Sequence, residues 1–233
     1  MWVPTMNDTA MTGAPGGGSS RTGIPDALRS GRIVAVLRAS SAEHFVAATD
    51  VLISEGIRVI EVTLTTQGGV DALRSIAGSA PPGVAVGAGS VMSVSQAEMA
   101  MDAGAQFLVS PVTQPDVLAA GRTVGVPTYP GALTPTEISA ASQAGAPLVK
   151  LFPASAVGPG YLKDVHGPMP GIEIMPTGGI TLTDIATWLE AGAIAVGLGG
   201  PLLGDALVGG SFDDLADRAR QAVAAVPDSE GTR

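Results

Sequence analysis

One phrase recurs along this chain and constrains its fold more than any other feature. "SEGIRVIEVTL", "DAGAQFLVSP", "QAGAPLVKLF" and "EAGAIAVGLG" each run from a helix end through a glycine into a short apolar strand. Gly56, Gly104, Gly145 and Gly192 stand just past a helical stretch, where a positive φ is needed and glycine adopts it without strain. The strands that follow are short and rich in Val, Ile and Leu, which suits a parallel sheet covered on both faces. Amphipathic stretches such as "SAEHFVAATDVLISEG" and "TLTDIATWLEAG" separate them, with Ser41 and Thr181 placed as N-caps.

Extending the pattern predicts strands near 33–38, 58–65, 84–88, 106–110, 126–129, 147–152, 172–176 and 194–198. Eight strand–helix units in about 200 residues point to a (β/α)8 barrel, the TIM barrel, near the short limit of that fold. A doubly wound open sheet is the alternative, but no G-x-G-x-x-G follows the first strand. "TGIPDALRSGR" predicts a short extra N-terminal helix, placed to plug the barrel bottom. Composition shows no break, so a single barrel domain over 23–227 is expected, with disordered tails at 1–22 and 228–233. The N-terminal stretch lacks the basic start and apolar core of a secretory signal.

Charge and residue usage narrow the chemistry. With 12 basic against 21 acidic residues, a net charge of -9 and 3% aromatics, the chain is a poor nucleic-acid partner. A small anionic substrate needs only a few local donors and remains compatible. No cysteine is present, which excludes thiolate chemistry, disulfides and thiolate-bound zinc. The only histidines, His44 and His166, make a His-rich metal site unexpected. No apolar run approaches the roughly 20 residues of a membrane span, so a soluble, cytoplasmic protein is the expectation. Lysine, carboxylates, hydroxyls and backbone are left to do the chemistry.

Strand ends are where barrels of this kind place such groups. In "VIEVTLTT", alternation puts Ile60, Val62 and Leu64 on one face and Glu61, Thr63 and Thr65 on the other, which should point inward. Leu148, Lys150 and Phe152 share a face, as do Val36 and Arg38. Lysine is rarely buried, so Lys150 with Glu61 reads either as a structural ion pair or as a nucleophile and its proton shuttle. Burial disfavours an ammonium, and the neutral amine is the form that adds to a carbonyl. Lys163, His44 and His166 fall on helices and read as non-catalytic. Gly178 and Gly179 after the seventh strand, and Gly199 and Gly200 after the eighth, either serve tight turns or cradle a phosphate. Ser90, in "VGAGSVM", sits at the rim as a carboxylate donor or a helix cap.

Six motifs then stand in register: "EVTL" (Glu61), "GAGS" (Ser90), "SP" (Ser110, Pro111), "YPGALTPTE" (Pro130, Gly131), "KLFPA" (Lys150) and "PTGG" (Thr177, Gly178, Gly179). From "GRIVAVLRASS" to the last helix the chain resembles the class I aldolases that cleave 2-keto-3-deoxy-6-phosphogluconate (KDPG), grouped with the 4-hydroxy-2-oxoglutarate (KHG) aldolases. The resemblance implies Lys150 as the Schiff-base lysine and Glu61 as the general acid/base. It implies substrate contacts from Arg38, Thr65, Ser90, Pro111, Phe152 and Thr177, and a phosphate cradle at Gly178, Gly179, Gly199 and Gly200. Thr65 stands where some members carry an arginine, and Gly200 where the last loop often has a serine. Also implied are KDPG cleavage to pyruvate and glyceraldehyde 3-phosphate, a place in the Entner-Doudoroff pathway, no cofactor and a homotrimer. Rival readings are the phosphogalactonate epimer or KHG as substrate, a phosphosugar isomerase or epimerase working without an imine, and a non-catalytic metabolite-binding barrel.

Overall fold

A computed structural model describes residues 23–227, so the tails expected at 1–22 and 228–233 lie outside the described residues. The first half of the chain runs α1 (Asp26–Gly31), β1 (Ile33–Leu37), α2 (Phe45–Ser54), β2 (Val59–Thr63), α3 (Gly69–Ser79), β3 (Ala85–Gly89), α4 (Val94–Asp102) and β4 (Leu108–Val109). It continues through α5 (Pro115–Thr123), β5 (Thr128–Tyr129), β6 (Gly131–Ala132), α6 (Pro135–Gln143), β7 (Val149–Leu151) and α7 (Pro159–His166). The last part holds β8 (Ile174–Pro176), α8 (Ile185–Glu190), β9 (Val196–Leu198), α9 (Gly200–Leu203) and α10 (Phe212–Ala224).

Every pairing is parallel, and the strands form a curled sheet in two parts, ordered β5-β4-β3-β2-β1-β9 and β6-β7-β8. Each of the eight predicted strands has its counterpart, and the fifth is divided into β5 and β6 at Pro130. Proline has no N–H to give to a ladder, so pairing breaks there while the chain runs on. A parallel bridge between Thr177 and Gly197, and the Ile194 N–H donating to the Ile174 carbonyl at 3.0 Å, link β8 to the β9 segment.

Two apolar layers follow from the period-two alternation of the strands. Along β1, Ile33, Ala35 and Leu37 pack outward with helix residues such as Phe45 and Leu52, while Val34 and Val36 face an inner cluster. That inner cluster also holds Val59, Phe107, Val109, Tyr129, Leu148 and Met175. Leu28 of α1 joins it, fully buried, so the extra N-terminal helix covers the end of the sheet interior as its sequence suggests. The Tyr129 hydroxyl donates to the Gly23 carbonyl at 2.8 Å, and burial pushes this phenol up, with Arg29 opposing more weakly. Its ring stacks on Phe107 at 5.5 Å between centroids.

The predicted punctuation holds for the four repeated glycines, whose φ values are 98°, 94°, 94° and 106°. Thr181 forms a capping box with Asp184 ahead of α8. Ser41 does not cap α2, which begins at Phe45 after His44. Its backbone is drawn instead into a parallel bridge with Gln67, which delays the helix by one turn. No helix among the described residues is long and apolar enough to cross a membrane.

Candidate active site

Lys150 is the middle residue of β7, opposite Gly131 on β6 and Met175 on β8. Strand alternation turns it to the same interior as Leu148, and it is 4% exposed. Glu61, the middle residue of β2 and 0% exposed, brings Oε1 to 3.5 Å from Lys150 Nζ. Beyond this ion pair, neither Glu61 carboxylate oxygen has a hydrogen-bond partner among the described residues. A buried pair that serves structure alone is normally saturated with hydrogen bonds. Here both oxygens retain lone pairs for a third group.

The carboxylate fits because the neighbouring strand is bare. A Cβ at Gly89 would lie 2.1 Å from Glu61 Oε1, and one at Gly87 would lie 2.4 Å from the Phe107 ring. Past Gly89 the chain enters Ser90 at φ 61°, a left-handed conformation that costs a non-glycine residue on the order of 1–2 kcal/mol. That turn presents the Ser90 hydroxyl to Arg38, whose Nη2 donates to it at 3.0 Å.

Arg38, Lys150, Phe152 and Thr177 line a cavity of about 340 Å³ at the C-terminal ends of the strands. The Phe152 ring centroid lies 5.5 Å from Lys150 Nζ. The Thr177 hydroxyl is buried without a hydrogen-bond partner among the described residues, packed where a side chain on Gly197 would otherwise stand. Gly178, Gly179, Gly199 and Gly200 border the same space, the first two at φ 94° and 76°. Ile180, Pro201, Leu203, Leu207 and Val208 complete its outer wall with apolar surface.

Thr65 does not join this group. β2 ends at Thr63, where a turn closed by the Thr66 N–H donating to the Thr63 carbonyl at 3.2 Å ends the alternation. Thr65 is consequently exposed and Thr66 is the buried hydroxyl. Pro111 lies outside the cavity lining, and its carbonyl covers the bare face of Gly131, where a Cβ would meet it at 2.0 Å. Sequence reasoning missed Gly89 and Gly197 as close-approach positions, and Thr66 altogether; "GAGS" and "VGLGG" carried a visible signal only for the glycines.

The remaining candidates sit elsewhere. His44 packs edge-on against Phe212, His166 Nε2 lies 3.1 Å from the Ile172 carbonyl, and Lys163 is exposed on α7. Among the described residues no cluster of His, Cys, Asp or Glu could hold a metal. A second cavity of about 330 Å³ lies at the strand starts among Leu118, Arg122, Thr128 and Pro147, without a carboxylate or a lysine in its lining.

The family model described as KDPG and KHG aldolase matches residues 24–215. The chain belongs to the KDPG and KHG aldolase family. Aldolases are lyases, and this one shares 35% identity over 206 residues with the KHG/KDPG aldolase of Escherichia coli (strain K12), covering 87% of this chain and 96% of that one. A protein of Rhizobium meliloti named probable 2-dehydro-3-deoxy-6-phosphogalactonate aldolase is 34% identical over 194 residues, 83% of this chain and 90% of its own. The crystal structure of the KDPG aldolase from Legionella pneumophila, with pyruvate captured as a covalent carbinolamine, superposes with a TM-score of 0.75 at 26% identity, covering 86% and 97% of the two chains. The names of these relatives divide among KDPG, KHG and 2-dehydro-3-deoxy-6-phosphogalactonate, so membership defines the aldolase type and not the acid.

Proposed function

We propose that this aldolase cleaves 2-dehydro-3-deoxy-6-phosphogluconate to pyruvate and glyceraldehyde 3-phosphate through an imine on Lys150, in the cytoplasm and within the Entner-Doudoroff pathway. The observation that carries the reading is the buried Lys150–Glu61 pair, at 3.5 Å, beside a cavity at the strand ends. Passing one proton from Lys150 to Glu61 leaves a neutral amine, which attacks the C2 ketone. Glu61 returns that proton to the adduct's oxygen and then carries a second one there from the nitrogen, so that water leaves and a protonated imine forms. That cation accepts the electron pair of the C3–C4 bond as a base removes the C4 hydroxyl proton. Glyceraldehyde 3-phosphate departs, the enamine is protonated at C3, and hydrolysis releases pyruvate and the free lysine.

Arg38 and Ser90, 3.0 Å apart, take the substrate carboxylate, while Phe152 and Thr177 bound the pyruvyl carbons. Backbone amides at Gly178, Gly179, Gly199 and Gly200 take the phosphate. No organic cofactor or metal has a step in this sequence. The C4 epimer, 2-dehydro-3-deoxy-6-phosphogalactonate, is the second reading, supported by the name of the Rhizobium meliloti relative. We read the two sheet parts as one closed (β/α)8 barrel in a single domain, on the strength of the chain continuity at Pro130 and the Thr177–Gly197 bridge. A homotrimer is the proposed assembly, as the family resemblance implies.

Borohydride reduction with pyruvate, followed by peptide mass mapping, tests the chemistry. A reduced adduct on Lys150, absent in Lys150→Ala, is the expected result. A folded protein that yields no adduct overturns the imine and promotes the isomerase reading. Parallel assays with the two epimeric acids then decide the substrate.

A further inference from the structure

The β1–β2 ladder ends at the pair Leu37 and Val62. Arg38 and Ala39 lie past that last pair, so main-chain pairing within the sheet no longer aims the arginine. Two buried hydroxyls take over. The Ala39 N–H donates to Thr66 Oγ1 at 3.4 Å, the Thr63 hydroxyl donates to the Leu37 carbonyl at 2.9 Å, and the two hydroxyls lie 3.0 Å apart. A hydroxyl carries one proton. That of Thr63 is committed to a carbonyl, which cannot donate, so Thr66 must donate to Thr63 and accept from Ala39. The chain is therefore directional, from the Ala39 N–H through Thr66 and Thr63 to the Leu37 carbonyl, and it clamps the backbone on both sides of Arg38.

We propose that Thr66 is a positioning residue for carboxylate recognition, holding through Thr63 the backbone that aims Arg38 at Ser90 and the cavity. This rests on the reading that Arg38 binds the substrate carboxylate. Thr66 itself does not line the cavity, so its effect passes through Arg38. The next tie between the loops, the Gln67 N–H donating to the Ser40 carbonyl at 3.3 Å, survives loss of the Thr66 hydroxyl. The loop should stay attached while the guanidinium loses its aim.

The test compares Thr66→Val, which keeps shape and removes the hydroxyl, with Thr66→Ser, which keeps the hydroxyl. KM for pyruvate and kcat are measured in the aldol direction with glyceraldehyde 3-phosphate, in wild-type and Arg38→Ala backgrounds. Thr66→Val is expected to raise KM about five- to tenfold with kcat within about twofold, from loss of the two hydrogen bonds that its hydroxyl makes to Ala39 and Thr63. Thr66→Ser should stay within about twofold of wild type, and Thr66→Val should add nothing once Arg38 is alanine. A Thr66→Val enzyme with wild-type KM, or one whose KM rises as much in the Arg38→Ala background, overturns the proposal. If Arg38→Ala alone leaves KM unchanged, the carboxylate reading of Arg38 falls and the proposal falls with it. A wild-type protein without turnover sinks the aldolase substrate reading as well. Should Thr66→Val fail to fold, Thr66→Ala against Thr66→Ser makes the same comparison, since those two differ by a single oxygen.

Discussion

Replacing Gly89 by alanine probes the proton-shuttle role of Glu61 without altering the carboxylate. Gly89 pairs with Thr63 in the β2–β3 ladder, two residues along from Glu61. A Cβ built there lies 2.1 Å from Oε1 and 2.7 Å from both Cγ and Cδ of Glu61. Carbon–oxygen contacts relax at roughly 3.3 Å, so the carboxylate must retreat by about 1 Å. Both backbones are held by the ladder, and the side chain is the part free to move. A displacement of that size at a reacting group lowers turnover on the order of 100-fold. Overpacking destabilises by about 1–3 kcal/mol, and each kcal/mol lowers Tm by roughly 2–4 °C in a chain of this size. Pyruvate release, coupled to lactate dehydrogenase, measures kcat, and a circular-dichroism melt separates misplacement from unfolding. In a Glu61→Ala background the obstacle is gone, so Gly89→Ala should have little further effect on kcat and the two changes should be strongly non-additive. A Gly89→Ala enzyme retaining more than about a third of wild-type kcat, or showing its full penalty in the Glu61→Ala background, would refute the reasoning.

Two further outcomes are expected. Arg218 donates to the carbonyls of Leu202 and Leu203 at 2.8 and 3.0 Å, holding the end of α9 whose start borders the cavity; Arg218→Leu should raise KM for the phosphorylated acid several-fold while pyruvate trapping on Lys150 is unchanged. Glu137 in the α6 capping box is held below its usual carboxylate range, chiefly by the Thr134 N–H and then by the Leu133 N–H and the Thr134 hydroxyl. A depressed folded-state value means stability that is present above the unfolded carboxylate value and lost as pH falls through the folded one. Melts across the acid range should therefore show Glu137→Gln losing less stability than wild type as pH drops below roughly 4, and equal slopes would contradict this.

What could be read directly from the chain was local. Helix-stopping glycines, the Thr181 cap and the strand alternation that turns Lys150 and Glu61 inward depend on near neighbours along one segment, and the sequence determined them. The two alternations turn both charged groups to one interior. Tertiary structure decided the rest, because those outcomes depend on contacts between segments far apart in sequence. Strand alternation alone points Thr65 inward, but a turn ends the strand before it, and the buried hydroxyl is that of Thr66, tied to the β1 loop. Ser41 lost its capping role to a bridge with Gln67, and the bare Cα of Gly89 acquired its meaning only when the Glu61 carboxylate came to rest against it. A periodic pattern states which way a side chain points. Only the packed sheet states what it meets there, since the distances that select glycine, threonine or lysine are set by the neighbouring strand.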